Sequence, residues 1–112
     1  MAIENYNKAI GVNPKTPGLY YNRGIVYHNL QQYDKAIADY TKAIEIYPNY
    51  DYSYYARGLI YKNDLKNYKQ AIKDFTKCIE INSKFMWAYV NRAECYQAMS
   101  KTAKARELGY KG

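Results

Sequence analysis

A chain with a single histidine has little material for acid–base or nucleophilic catalysis. His28 would have to serve in any Ser/His or Cys/His pairing, and no neighbouring residue marks it as a base. It reads as a solvated or groove-lining side chain. The cysteines offer no metal site. Cys78 occupies a small-residue position that Ala43 holds 35 residues earlier, and Cys95 has no Cys or His at ligand spacing. Cys78 is expected in the core. Both thiols are expected to be reduced, which points to a cytoplasmic setting. There is no glycine-rich phosphate loop and no carboxylate cluster at metal-ligand spacing. These residues predict no enzyme, no metal and no cofactor. The chemistry left is recognition. The chain holds 16 Tyr, 2 Phe and 1 Trp, with Asn22, Asn29 and Asn91 close in sequence to several of the rings. Amide side chains pair with peptide groups, and rings pack against apolar side chains.

A repeat positions these residues. Tyr20, Arg23, Gly24 and Tyr27 recur 34 residues later as Tyr54, Arg57, Gly58 and Tyr61. Ala36, Ile37, Tyr40, Ala43 and Ile46 recur 35 residues later as Ala71, Ile72, Phe75, Cys78 and Ile81. A third partial copy supplies Tyr89, Arg92, Ala93 and Tyr96. A fixed period of this size means stacked supersecondary units. The step from 34 to 35 puts one extra residue between Tyr61 and Ala71, most simply in the polar run Asn63–Asn67.

Each unit reads as two helices. Ala36, Ile37, Tyr40, Ala43, Ile44 and Tyr47 fall at spacings of three and four, which is one helical face. Tyr20, Gly24 and Tyr27 do the same. The connection at Gln31-Gln32 is short, so the two helices must be antiparallel neighbours. Gly24 is expected to face Ala36 where they cross, closeness outweighing the roughly 1 kcal/mol that Gly costs a helix. Helices are predicted at about 18–30, 34–47, 52–63, 68–81, 85–99 and 102–108, with Thr16-Pro17 opening the first and Asn82-Ser83 capping the fifth. Gly109 is expected to close the last. The fold class is all-α: an α-solenoid of stacked antiparallel helix pairs.

These residues resemble the tetratricopeptide repeat, whose pattern runs Trp-x-x-Leu-Gly-x-x-Tyr, then Ala-x-x-x-Phe, then Pro. Tyr20, Gly24, Tyr27, Ala36, Tyr40 and Pro48 take those slots in one copy; Tyr54, Gly58, Tyr61, Ala71 and Phe75 take them in the next. Arg23, Arg57 and Arg92 depart from the Leu, and Ser83 from the Pro. The resemblance implies one domain over 1–112: the second helix of an incomplete repeat (1–14), repeats at 17–50 and 51–85, and a shortened C-terminal repeat with a capping helix (86–112). It implies a protein-interaction scaffold whose first helices line a concave, peptide-binding groove. The groove slots fall on Tyr21, Asn22, Ile25 and Asn29, on Tyr52, Tyr55, Leu59 and Lys62, and on Trp87, Asn91 and Glu94. Tyr21 and Tyr55 are the expected anchors. Tyr52 and Trp87 either line the groove or pack between units. Asn22 and Asn91 are expected to hold the peptide backbone, and Lys62 to favour an acidic residue. The carboxylate clamp by which members of this family hold chaperone tails is incomplete: Tyr52 and Ala56, or Tyr55 and Leu59, stand where its charged and amide residues belong.

The net charge of +7 lies in the second half. Residues 1–56 carry five Lys+Arg against five Asp+Glu, and residues 57–112 carry twelve against five. A basic half with many tyrosines makes an RNA-binding helical repeat the alternative function. A solvated outer face carrying Lys42, Lys69, Lys73, Lys77 and Lys104 is the plainer reading. No apolar run approaches a membrane span, so no membrane partner is expected. AIENYNKAI at 2–10 aligns with AIADYTKAI at 36–44, so the chain opens on a second helix. Ile3, Tyr6 and Ile10 on that edge predict self-association or a neighbouring domain.

Overall fold

The computed structural model describes residues 1–107 and is all-helical over them. The helices are α1 (Ala2–Val12), α2 (Pro17–Asn29), α3 (Tyr33–Ile46), α4 (Asp51–Leu59), α5 (Tyr68–Ile81) and α6 (Met86–Glu107). They stack into an elongated body of 57 × 29 × 18 Å. The α2–α3 and α4–α5 hairpins are the two whole pairs. Both turn through a residue with left-handed backbone, Gln31 (φ 60°) and Lys66 (φ 54°), at matching places in the repeat.

α4 runs into a π-helical turn, Ile60–Asp64. The extra residue is absorbed here. Tyr27 O accepts from Gln32 N at 2.8 Å in the first pair, whereas its counterpart Tyr61 O accepts from Asn67 N at 2.7 Å, one residue further on. The insertion thus overlaps the start of the Asn63–Asn67 run and widens the helix itself.

At each helix crossing the closest approach to the glycine is an aromatic ring. A Cβ on Gly24 would lie 2.7 Å from the Tyr40 ring, and one on Gly58 would lie 2.8 Å from the Phe75 ring. The aromatic slot of each second helix fills the space left by the glycine of its own first helix. Ala36, Tyr40 and Ile60 form one buried cluster; Ala71, Phe75, Cys78, Ala88 and Cys95 form the other. Each joins a second helix to residues of the following unit, so the core is continuous along the stack, as stacked repeats require.

The arginines in the leucine slot explain themselves. Arg23 lies over the Tyr20 and Tyr27 rings and donates from Nε and Nη2 to Asp39 at 2.8 and 2.7 Å. Arg57 lies over Tyr54 and donates to Asp74 at 2.9 and 2.8 Å. The remaining Nη1 reaches back one unit, from Arg23 to Asn7, from Arg57 to Thr41 and from Arg92 to Thr76, at 2.8, 3.0 and 3.2 Å. One planar fork therefore ties three helices together.

Two of the expected helix ends differ in the structure, and one stands. Thr16 holds the N-cap position of α2 and Pro17 its first turn, as expected, although the Thr16 side chain makes no cap bond. Asn82-Ser83 do not cap α6, which starts at Met86; Asn82 Oδ1 accepts from Lys84 N at 3.2 Å and its amide donates to Asp51 at 3.2 Å. The break expected near residue 99 is absent, and α6 runs on to Glu107 as one helix. SKTAKARE holds good helix formers and no breaker, so nothing stops it. The proposed Gly109 cap lies outside the described residues.

Candidate functional site

Two aromatic pairs recur at the junctions between units. Tyr21 packs on Tyr50 (ring centroids 5.2 Å apart), and Tyr55 packs on Phe85 (4.8 Å). Tyr21 also meets Tyr40, and Tyr55 also meets Phe75. Both expected anchors are therefore half-buried parts of the inter-unit packing. Burial, aided by neighbouring tyrosines and Asp51, raises the Tyr21 pKa; burial does the same for Tyr55. Their rings form the floor of the site.

Over that floor lies a cavity of about 500 Å³, walled by Tyr21, Tyr52, Tyr55, Phe85, Met86 and Trp87, with Asn82 and Lys84 as its polar lining. Tyr52 is 56% exposed and Trp87 57% exposed. Tyr52 touches Phe85 edge-on at 5.5 Å. The structure thus brings Tyr21, Tyr52, Tyr55 and Trp87 together, and the free rings are the two whose role was open. Lys84 and Phe85 were missed because they precede a first helix, and Met86 because it only opens one. The signal existed: Tyr50 and Phe85 are aromatics 35 residues apart, just ahead of successive first helices.

The polar candidates are otherwise engaged. Asn91 is nearly buried; its Nδ2 donates to Tyr55 Oη at 3.1 Å and to Trp87 O at 2.8 Å, and its Oδ1 accepts from Lys62 Nζ at 2.9 Å. Lys62 also pairs with Glu94. Asn91 therefore cannot offer its amide to a peptide without surrendering these bonds, and Lys62 already has its carboxylate. The network instead fixes Tyr55 and the start of α6. Ile25 and Leu59 pack against the two cores. Asn22 and Asn29 are exposed on α2 and do not line the cavity.

His28 is not free: its Nε2 lies 3.0 Å from Asp64 Oδ2, and its ring meets Tyr33 edge-on. Cys78 and Cys95 are buried free thiols, and burial pushes Cys78 up to about 12. Among the described residues no group of three or more His, Cys, Asp or Glu could hold a metal, and no helix is long and apolar enough to cross a membrane. A second cavity of about 530 Å³ has Lys66, Lys69 and Arg106 in its lining, with Tyr68, Met99 and Thr102.

The periodic hairpins and their inter-unit ties define an α-solenoid. Tetratricopeptide repeat patterns match residues 17–50, 52–85 and 75–107, and a TPR repeat pattern matches 1–31. The chain belongs to the tetratricopeptide repeat family. Similar solved structures include the first TPR of Spaghetti (RPAP3) bound to HSP90 peptide SRMEEVD, 26% identical over 88% of this chain and 77% of that one, with a TM-score of 0.82. The Arabidopsis OM64 TPR domain is 26% identical over 85% and 78%, with a TM-score of 0.79. MamA is 25% identical with a TM-score of 0.83; the match covers 94% of this chain and 57% of that protein. No curated protein matches the sequence.

Proposed function

We propose that this chain is a protein-interaction scaffold that takes a linear peptide segment of a partner into the aromatic cavity at Tyr52 and Trp87. The observation that carries the reading is the convergence of two rings, each more than half exposed, on a preformed apolar floor that both cores leave open. Rings of this kind anchor an apolar side chain at little entropic cost. Lys84 adds a cation to the cavity and favours an acidic neighbour in the peptide. The Spaghetti neighbour, bound to SRMEEVD, supports a peptide as the ligand class. The incomplete clamp at Tyr52, Ala56, Tyr55 and Leu59 argues for a different peptide here.

The test is selection of linear peptides from a displayed library. Trp87 is the only tryptophan, so a bound peptide should shift its emission to the blue. Tyr52→Ala and Trp87→Ala should each weaken the selected peptides by about thirtyfold, the worth of a 2 kcal/mol anchor, and Lys42→Ala should not. Equal binding to wild type and both ring variants would overturn the assignment. Single-stranded RNA is the competing ligand. Its cations would be Lys66, Lys69 and Arg106, which line the second cavity beside Tyr68 and not the cavity of Tyr52 and Trp87. Salt-steep RNA binding abolished by charge reversal at those three positions would favour RNA instead.

A further inference from the structure

The uncovered faces of α1 and α6 are the two halves of one helix pair. In α2 and α4, second helices cover Tyr20, Gly24 and Tyr27, or Tyr54, Gly58 and Tyr61, and leave all six buried or half-buried. The same slots in α6 are Tyr89, Ala93 and Tyr96, and all three are exposed, Tyr96 at 55%. At the other end, α1 carries the sequence of a second helix, yet none of its residues is buried, whereas Ala36, Asp39, Tyr40 and Ala43 in the matching slots of α3 are. We infer that a second copy of this chain docks head to tail, its α1 completing the pair that α6 of the first copy begins.

The two whole pairs supply the register. Tyr6 of the incoming α1 falls on Ala93, as Tyr40 falls on Gly24 and Phe75 on Gly58. Asn5 falls opposite Arg92, as Asp39 faces Arg23 and Asp74 faces Arg57. Among the described residues Arg92 reaches Thr76 and the Tyr89 ring and meets no carboxylate. An asparagine oxygen suits its guanidinium, as Asn7 already shows with Arg23. The junction is weaker than an internal pair for two stated reasons: Asn5 lacks the charge of Asp39, and the Ala93 methyl occupies space that a ring fills at Gly24 and Gly58. The contact joins unlike surfaces, so each added copy leaves one free face for the next.

Sedimentation velocity of the 112-residue protein over a concentration series tests this. The mass should grow past a dimer as concentration rises. Asn5→Asp with Ala93→Gly, which gives the junction the chemistry of the internal pairs, should bring the same growth at about tenfold lower concentration. Tyr6→Glu and Tyr96→Glu should each be monomeric with helix content retained. Mixed together, they should form a dimer and nothing larger, because each keeps one working end. A strictly monomeric wild type and Asn5→Asp/Ala93→Gly double variant would overturn the inference. So would wild-type growth that stops at a closed dimer, or two glutamate variants that fail to complement.

Discussion

Removing the carboxylate of Asp74 should be among the most damaging single changes in this chain. Asp74 is almost fully buried on α5 and holds the Arg57 fork by two bonds, at 2.9 and 2.8 Å. Burial outweighs Arg57 in setting its pKa, which lies above the ordinary carboxylate value. The pair therefore adds little net stability, yet each half depends on the other. Asp74→Ala strands a largely buried guanidinium, 16% exposed, and should cost about 3 kcal/mol, a fall of roughly 10 °C in Tm for a domain of this size. Arg57→Ala should cost a similar amount, because it strands the carboxylate and also releases Thr41. Replacing both with apolar side chains should cost no more than one single change, so the coupling should be at least as large as one single penalty, about 3 kcal/mol. Arg23 and Asp39 provide an internal comparison. At Arg23 the hydrogen bond to Asp39 outweighs burial, whereas at Arg57 burial is the larger influence. The same cycle at Arg23 and Asp39 should therefore show smaller single penalties. Urea denaturation of the four chains in each cycle gives these values. If the double replacement at 57 and 74 costs the sum of the singles, the two groups are not a coupled buried unit.

Two further outcomes are expected. Ser53 is fully buried and its hydroxyl finds no hydrogen-bond partner among the described residues; the matching residue of the next unit is Ala88. Ser53→Ala should stabilise the fold by about 1 kcal/mol, and a lowered Tm would mean that the hydroxyl has a partner after all. Burial also holds Tyr21, Tyr40, Tyr50 and Tyr55 above the ordinary tyrosine value of 10.0. The folded chain thus keeps protons that the unfolded chain releases, so their contribution to stability is complete below pH 10.0 and is lost as pH rises through their folded values. Urea midpoints that stay level through that alkaline range would contradict the described packing.

The repeat made the fold legible. Ala36, Tyr40, Ala71 and Phe75 recur at one spacing, and a spacing can be counted without knowing the partner of any side chain. The Arg23–Asp39 and Arg57–Asp74 pairs were not read, although Asp39 and Asp74 stand 35 residues apart and an arginine in a leucine slot needs an anion. The groove was harder to read because its slots describe a direction from one helix and not what the next unit lays over it. Tyr50 and Phe85 come down on Tyr21 and Tyr55 from the following connection. Lys62, Asn91 and Glu94 meet across about thirty residues of chain, and their meeting depends on the axial shift between α4 and α6. Sequence periodicity carries no measure of that shift.

The π-helical turn at Ile60–Asp64 has a consequence for assembly order. Arrays of near-identical units can pair out of step, one unit taking the place of its neighbour, because each offers much the same surface. An α-helix given one more residue would swing every later side chain round by about 100°. The wide turn takes up that residue instead, so α5 keeps its face. It also gives the second unit something the first lacks. Asp64 reaches back to His28 at 3.0 Å, whereas the aligned stretch of the first unit, Asn29-Leu30, offers no carboxylate. A mispaired stack would leave both groups unmatched. The inserted residue thus marks one unit as different from its neighbour and ties it to a single place in the stack.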